Sequence, residues 1–150
     1  GISDDDWECW REMEALVDDQ RVDAIGISNV SIDQLKILHE GAKIKPRFVQ
    51  NRCFATQGWD KAVREFCNQN SITYQGFSLL TANQVVLSHM SGLAKKYNKT
   101  PEQIIFRFSQ QLGILPLTGT TNTNHMAQDL TLTFDLSDNE VQAIEQMAIQ

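Results

Sequence analysis

One pattern restricts the fold more than any other, and it occurs four times along the 150-residue chain. A short apolar run breaks into uncharged polar residues, and a helix-opening signal or a helical stretch follows. Ala24-Ile25-Gly26-Ile27 ends in Ser28-Asn29, and Ser31 then stands three residues before Gln34. Arg47-Phe48-Val49 gives way to Gln50-Asn51, and Ile72 to Phe77 gives way to Ser78. Ile114-Leu115-Pro116-Leu117 leads into Thr118-Gly119-Thr120-Thr121. Runs this short, punctuated in this way, read as buried strands.

The stretches between them carry apolar residues at helical spacing. Trp7, Trp10, Met13, Leu16 and Val17 predict a helix over 4–20, with Ser3 as its cap and Asp4-Asp5-Asp6 as a solvated, dipole-matched first turn. Further helices are expected over 32–41, 59–70, 85–97, from 101 through Leu112, 123–130 and 137–148. Leu35 and Leu38, then Ala62, Val63, Phe66 and Cys67, then Ile104, Ile105 and Phe108 form their inner stripes. Thr100-Pro101-Glu102-Gln103 combines a capping hydroxyl, a proline at the first helical position and a glutamine closing the capping box. Strand and helix alternate throughout, which predicts an α/β fold of four parallel strands with flanking helices and right-handed crossovers. No repeat, low-complexity tract or linker divides residues 1–150, so a single unit without a second domain is expected.

Composition excludes several function classes. The net charge is −6, which argues against nucleic acid or an anionic membrane surface as partner. No apolar run approaches the roughly 20 residues of a membrane helix, and no signal-peptide pattern opens the chain. Cys9, Cys53 and Cys67 are widely spaced and odd in number, which suits a reducing cytoplasm rather than a disulfide framework or a zinc site. His39 and His89 lack metal-ligand spacing, so no metal is expected. Trp7, Trp10 and Trp59 read as packing residues on helix faces, and Cys53 as a buried thiol. The chain opens on Gly1 rather than Met, which reads as a processed or excised piece.

The polar residues gather at the carboxyl ends of all four strands, the edge where parallel α/β folds bind ligands. Each also suits plain capping of the next helix, and both readings stand at this level. The residue types nevertheless agree with one ligand. Ser, Asn and Gln can hold a carboxamide without adding charge, and Phe77 offers a flat face to a ring. A Gly-Thr-Thr turn before a helix offers hydroxyls and N–H groups to a phosphate. A nicotinamide dinucleotide contains all three.

These stretches also resemble a known family. Arg21 to Asn29, Phe48 to Arg52, Gly76 to Leu80, Thr100 to Phe108 and Leu115 to Thr121 are similar, in order, to the C-terminal half of the aldo-keto reductases. Those are nicotinamide-dependent TIM (β/α)8 barrels, so the resemblance implies half of such a barrel, strands five to eight. It implies that Ser28, Asn29 and Gln50 bind the nicotinamide carboxamide and that Phe77, where the family usually has Tyr, stacks on the ring. It also implies that Ser78 and Leu80 line the pyrophosphate, and that Gln128 and Asp129 contact adenine. Leu79 replaces the usual Pro. Gly119 and Thr120, followed by Thr121, stand where many members carry a Lys-Ser pair for the 2′-phosphate. His125 stands near a position often held by Arg, and as a helix-surface residue it equally suits simple exposure. Both NADP(H) and NAD(H) therefore remain open as cofactor.

The family's catalytic Asp, Tyr, Lys and His come from its first four strands, and no residue here matches them; Tyr74 and Tyr97 fall elsewhere. No catalytic residue is assigned, and the isolated chain is expected to lack turnover, since carbonyl reduction needs a proton donor. Four strands leave open edges, which predicts a homo-oligomer or an N-terminal half as partner. The alternatives are a non-catalytic nucleotide-binding or interaction module, and an enzyme completed in trans.

Overall fold

A computed structural model describes residues 1–147. Four parallel strands run in the order β1-β2-β3-β4, with helices between them in sequence. The chain divides into two compact units, one of residues 1–51 and 62–74, the other of residues 52–61 and 75 onward.

The first unit carries α1 (Asp4–Asp18), β1 (Gly26–Ser28), α2 (Ile32–Gly41), most of β2 (Phe48–Arg52) and α3 (Lys61–Gln69), and the start of β3 (Thr73–Phe77). Ser3 and Asp6 close a capping box on α1, and Ser31 and Gln34 do the same on α2. Both boxes are local contacts, which is why the sequence signals them directly. Trp10, Ile25, Leu38 and Ala42 form a buried cluster, flanked by Trp7, Met13, Val17, Ile27 and Ile44. Burying each large side chain contributes about 1.5–3 kcal/mol.

Glu14 is the unexpected member of this unit, being only 3% exposed. Its Oε1 accepts from Arg11 Nη1 at 2.5 Å and its Oε2 from the Ile44 N–H at 2.5 Å. Burial opposes ionisation, but the Ile44 amide and the Arg11 guanidinium overcome it and hold the carboxyl below its usual range. β1 pairs with β2 in the register Gly26↔Phe48, Ile27↔Val49, Ser28↔Gln50. A Cβ at Gly26 would lie 2.6 Å from the Phe48 carbonyl oxygen, so only glycine permits this approach.

The second unit holds the one-turn segment Ala55–Asp60, the rest of β3, α4 (Gln84–Ser88), α5 (Ser91–Tyr97), α6 (Pro101–Gln111), β4 (Leu115–Pro116), α7 (Thr123–Leu130) and α8 (Asp138–Gln146). β3 and β4 pair through Gln75↔Leu115 and Gly76↔Pro116. Ile104, Ile105 and Phe108 are fully buried on α6, as their spacing predicts.

Two expected helices differ from the sequence reading. The helix expected from Trp59 starts at Lys61, because Gly58, Trp59 and Asp60 take left-handed φ values of 65°, 57° and 54°. Trp59 therefore packs from a turn rather than a helix face, with its ring centroid 4.9 Å from that of Phe108. The helix expected over 85–97 is two helices. The Ser88 hydroxyl and His89 Nδ1 both engage the Val85 carbonyl at 2.7 Å, and Met90 N–H turns back to Leu87 O. Side-chain competition for a helical carbonyl breaks the ladder there. The last helix is followed to Gln146; Ala148, its expected end, lies outside the described residues.

Ser137 and Glu140 cap α8, and Glu140 also ties it to α5 by accepting from the Tyr97 hydroxyl and from Lys96 Nζ at 2.9 Å. Burial pushes the Glu140 carboxyl up, yet the hydrogen bonds from Tyr97, Lys96 and Ser137 outweigh it and bring it down to about 2. Among the described residues no helix is long and apolar enough to cross a membrane.

Candidate functional site

The strand ends of the first unit bring Ser28 and Gln50 side by side. They are register partners in adjacent parallel strands, so their side chains leave the same face of the sheet. Ser28 and Asn29 are exposed and Gln50 is half-buried. Asn29 sits at φ 54°, and its N–H donates to the Gln50 carbonyl at 3.0 Å. Asparagine tolerates this left-handed conformation better than most residues, which gives a backbone reason for its presence beside any functional one.

Asn51 shares the same strand end but is 7% exposed. Its Oδ1 accepts from the Val30 N–H at 2.9 Å and its Nδ2 donates to the Val30 carbonyl at 2.8 Å. This two-way bond fixes the residue that follows Asn29. Asn51 thus shapes the loop and is not offered to a ligand through these atoms.

The second unit repeats the device. Phe77 closes β3 half-buried, and its carbonyl accepts from Cys53 N–H at 3.1 Å. Ser78 follows at φ 57°. A non-glycine residue in that region costs about 1–2 kcal/mol, and such outliers persist where surrounding contacts enforce them. The carbonyl of the next residue, Leu79, is tied down by Asn83, which is 3% exposed. Its Oδ1 accepts from Ala55 N–H at 2.7 Å, and its Nδ2 donates to the carbonyls of Cys53 at 2.9 Å and Leu79 at 2.8 Å. No local signal in the sequence announced this asparagine, whose partners Ala55 and Cys53 lie far along the chain.

A cleft of about 310 Å³ opens in the same unit. It gathers Leu80, Gly119, Thr120, His125, Gln128 and Asp129, all singled out from the sequence, and adds Thr100, Glu102, Phe106 and Thr118. Phe77, Ser78 and Thr121 are not among its lining residues. Glu102 is the charged wall residue among those that sequence reasoning did not assign to the site. It stands in the first turn of α6, where an acid is explained by the helix dipole alone.

The turn after β4 uses much of its own hydrogen-bonding capacity. Thr120 Oγ1 accepts from Asn122 N–H at 3.1 Å, and Asn122 Oδ1 accepts from the N–H groups of Asn124 at 2.9 Å and His125 at 3.2 Å. Two amides that the sequence offers to a phosphate are thereby capped internally. Thr118 Oγ1 donates to Asp129 Oδ2 at 3.4 Å, and the Gln128 carbonyl accepts from Gln103 Nε2 at 3.0 Å. Glu102 and Asp129 bring two carboxylates to the cleft, and no Lys or Arg lines it among the described residues.

Tyr74 is 2% exposed, and the Tyr97 hydroxyl donates to Glu140. Among the described residues no group of three or more His, Cys, Asp and Glu side chains is placed to hold a metal ion.

Parallel strands with polar residues at their carboxyl ends define a class: α/β proteins whose strand-end loops form the site. Comparison with known proteins narrows the class. Residues 3–85 match the model of the aldo/keto reductase family, more than half of the chain, and the chain belongs to that family. It is 29% identical over 145 residues to the 9,11-endoperoxide prostaglandin H2 reductase of Trypanosoma cruzi, covering 93% of this chain and 51% of that protein. It is 28% identical over 161 residues to the NADPH-dependent alpha-keto amide reductase of Saccharomyces cerevisiae, covering 95% of this chain and 49% of that one. Its fold is similar to the crystal structure of MGS-M4, an aldo-keto reductase enzyme from a Medee basin deep-sea metagenome library. There the TM-score is 0.83 at 26% identity, covering 94% of this chain and 54% of the other. The chain spans about half the length of the curated relatives it matches. Its four parallel strands and flanking helices correspond to half of a TIM barrel.

Proposed function

We propose that the chain is the cofactor-binding C-terminal part of an NAD(P)H-dependent aldo-keto reductase, acting in carbonyl reduction. The observation that carries this reading is the cleft, which unites Leu80, Gly119, Thr120, His125, Gln128 and Asp129 from three separate segments of sequence. Its volume and its mainly polar lining, with Leu80 and Phe106 as apolar members, suit the adenosine end of a dinucleotide. Ser28, Asn29 and Gln50 supply the donors and acceptors that a nicotinamide carboxamide requires, and Phe77 supplies a ring face. The nicotinamide, when bound, supplies the hydride. The residues of this chain bind and orient it.

Carbonyl reduction also needs a proton at the developing alkoxide. With Tyr74 buried and Tyr97 committed to Glu140, these 150 residues alone are proposed to bind cofactor without turnover. Turnover then calls for the family's first four strands, in the same chain or in trans. A second reading, a nucleotide-binding or interaction module that associates through its sheet edges, is favoured by Leu115, which lies in β4 and is 47% exposed.

Titration of the purified chain with NADH and NADPH, followed by tryptophan emission, tests the reading. Saturable binding weakened at least about fivefold (~1 kcal/mol) by Asn29→Ala or Gln50→Ala is expected. Absence of binding at millimolar cofactor by a folded chain would sink it. A carbonyl-reduction assay with an added N-terminal half separates the trans-complemented enzyme from the interaction module.

A further inference from the structure

We infer that the cleft selects the dinucleotide lacking a 2′-phosphate, with Asp129 and Glu102 as the residues that determine this preference. The inference rests on the cofactor reading above and commits it to NADH. Three features of the cleft point the same way.

The first is charge. A 2′-phosphate carries about −1.5 to −2 charge and is held best by guanidinium or ammonium groups. This cleft offers Glu102 and Asp129 instead, with no Lys or Arg among its described lining residues. Like charges brought together at a binding surface select strongly against the wrong partner.

The second is the state of the helix start. An anion can be held by free amides at a helix N-terminus even without side-chain cations. On α7 the amides of Asn124 and His125 are already satisfied by Asn122 Oδ1, and the Thr120 hydroxyl is satisfied as an acceptor by Asn122 N–H. To use the amides of Asn124 and His125 a phosphate would have to displace Asn122 Oδ1, while the Thr120 O–H stays a donor toward either ligand.

The third is what a carboxylate does well. The unmodified ribose presents two adjacent hydroxyl donors, and a carboxylate is an acceptor with two oxygens. In Rossmann-type sites an acidic residue accepting from the ribose 2′-hydroxyl favours NAD over NADP. Here the cleft carboxylates take that role, Asp129 in place of the adenine contact that the resemblance implies. Asp129 is held in the cleft by the Thr118 hydroxyl at its Oδ2, which leaves further acceptor capacity on the carboxylate.

The test compares ADP-ribose with 2′-phospho-ADP-ribose by titration calorimetry on the full chain, with circular dichroism as the check on folding. ADP-ribose is expected to bind at least about tenfold tighter. Asp129→Asn is expected to weaken ADP-ribose and strengthen the 2′-phosphorylated ligand, and Glu102→Gln to strengthen the phosphorylated ligand alone. Equal or tighter binding of 2′-phospho-ADP-ribose by the unmodified chain would overturn the inference while leaving the cleft as a cofactor site. If Asp129→Asn weakens both ligands by the same factor, Asp129 acts on what the two ligands share, as an adenine contact or a structural residue would, and the assignment falls. A folded chain that binds neither ligand overturns the cofactor reading and this inference together.

Discussion

The loops after β1 and β3 are built differently from the loop after β4. In the first two, a buried carboxamide clamps the backbone: Asn51 grips Val30 from both sides, and Asn83 gathers Cys53, Ala55 and Leu79. Each clamp grips the residue that follows a left-handed one, Asn29 or Ser78. The turn over residues 118–121 has no such insert. Thr118, Gly119 and Thr121 are exposed, and its bonds run among Thr120, Asn122 and the start of α7, with one from Thr118 to Asp129 at 3.4 Å. The contrast separates two design problems. A group that must be presented to one small planar ligand needs a backbone fixed to a fraction of an ångström. Under the cofactor reading proposed above, a rim that would meet a sugar tolerates a loop that can adjust.

The largest expected effect comes from Asn83→Ala. It leaves one buried N–H and two buried carbonyls without this partner, for a loss of about 3 kcal/mol read as a fall in urea midpoint. Asn51→Ala removes two bonds to one residue and is expected to cost about 2 kcal/mol by the same measurement. Thr120→Ala, in the unclamped turn, is expected to cost about 0.5 kcal/mol or less, since its amide partner can turn to water. If Thr120→Ala cost as much as Asn51→Ala, the distinction between clamped and adjustable loops would collapse. A smaller loss at Asn83 than at Asn51 would show that the number of bridged groups does not set the strength of a clamp.

The difference between what was legible in the sequence and what was not follows the same line. The capping boxes at Ser3, Ser31, Thr100 and Ser137 are all present, because both members of each lie within one helical turn. Leu35, Leu38, Ile104, Ile105 and Phe108 are buried where periodicity places them. Much of the cleft was also readable, since strand-end polar residues and the turn before α7 are local signals. The buried roles of Asn51 and Asn83 were not readable. Asn51 looks like one more strand-end amide, and its partner Val30 is distant in sequence. The left-handed run at Gly58-Trp59-Asp60 was missed because only its glycine advertises such a conformation. The break between α4 and α5 was missed because Ser88 and His89 are neutral to helix in general and disruptive only once both reach for the Val85 carbonyl.

The attachment of α8 makes proton uptake and helix docking a single event. Glu140 alone receives both the Tyr97 hydroxyl and the Lys96 ammonium, so releasing the helix from α5 and protonating that carboxyl favour one another. Its value falls from the usual 4.5 to about 2 in the folded chain, so the folded state binds its proton less readily than the unfolded one. The stabilisation is therefore complete above about pH 4.5 and drains away as the pH drops toward 2. Acid is thus expected to loosen α8 from α5, read as a change in the environment of Tyr97, which packs against Phe134.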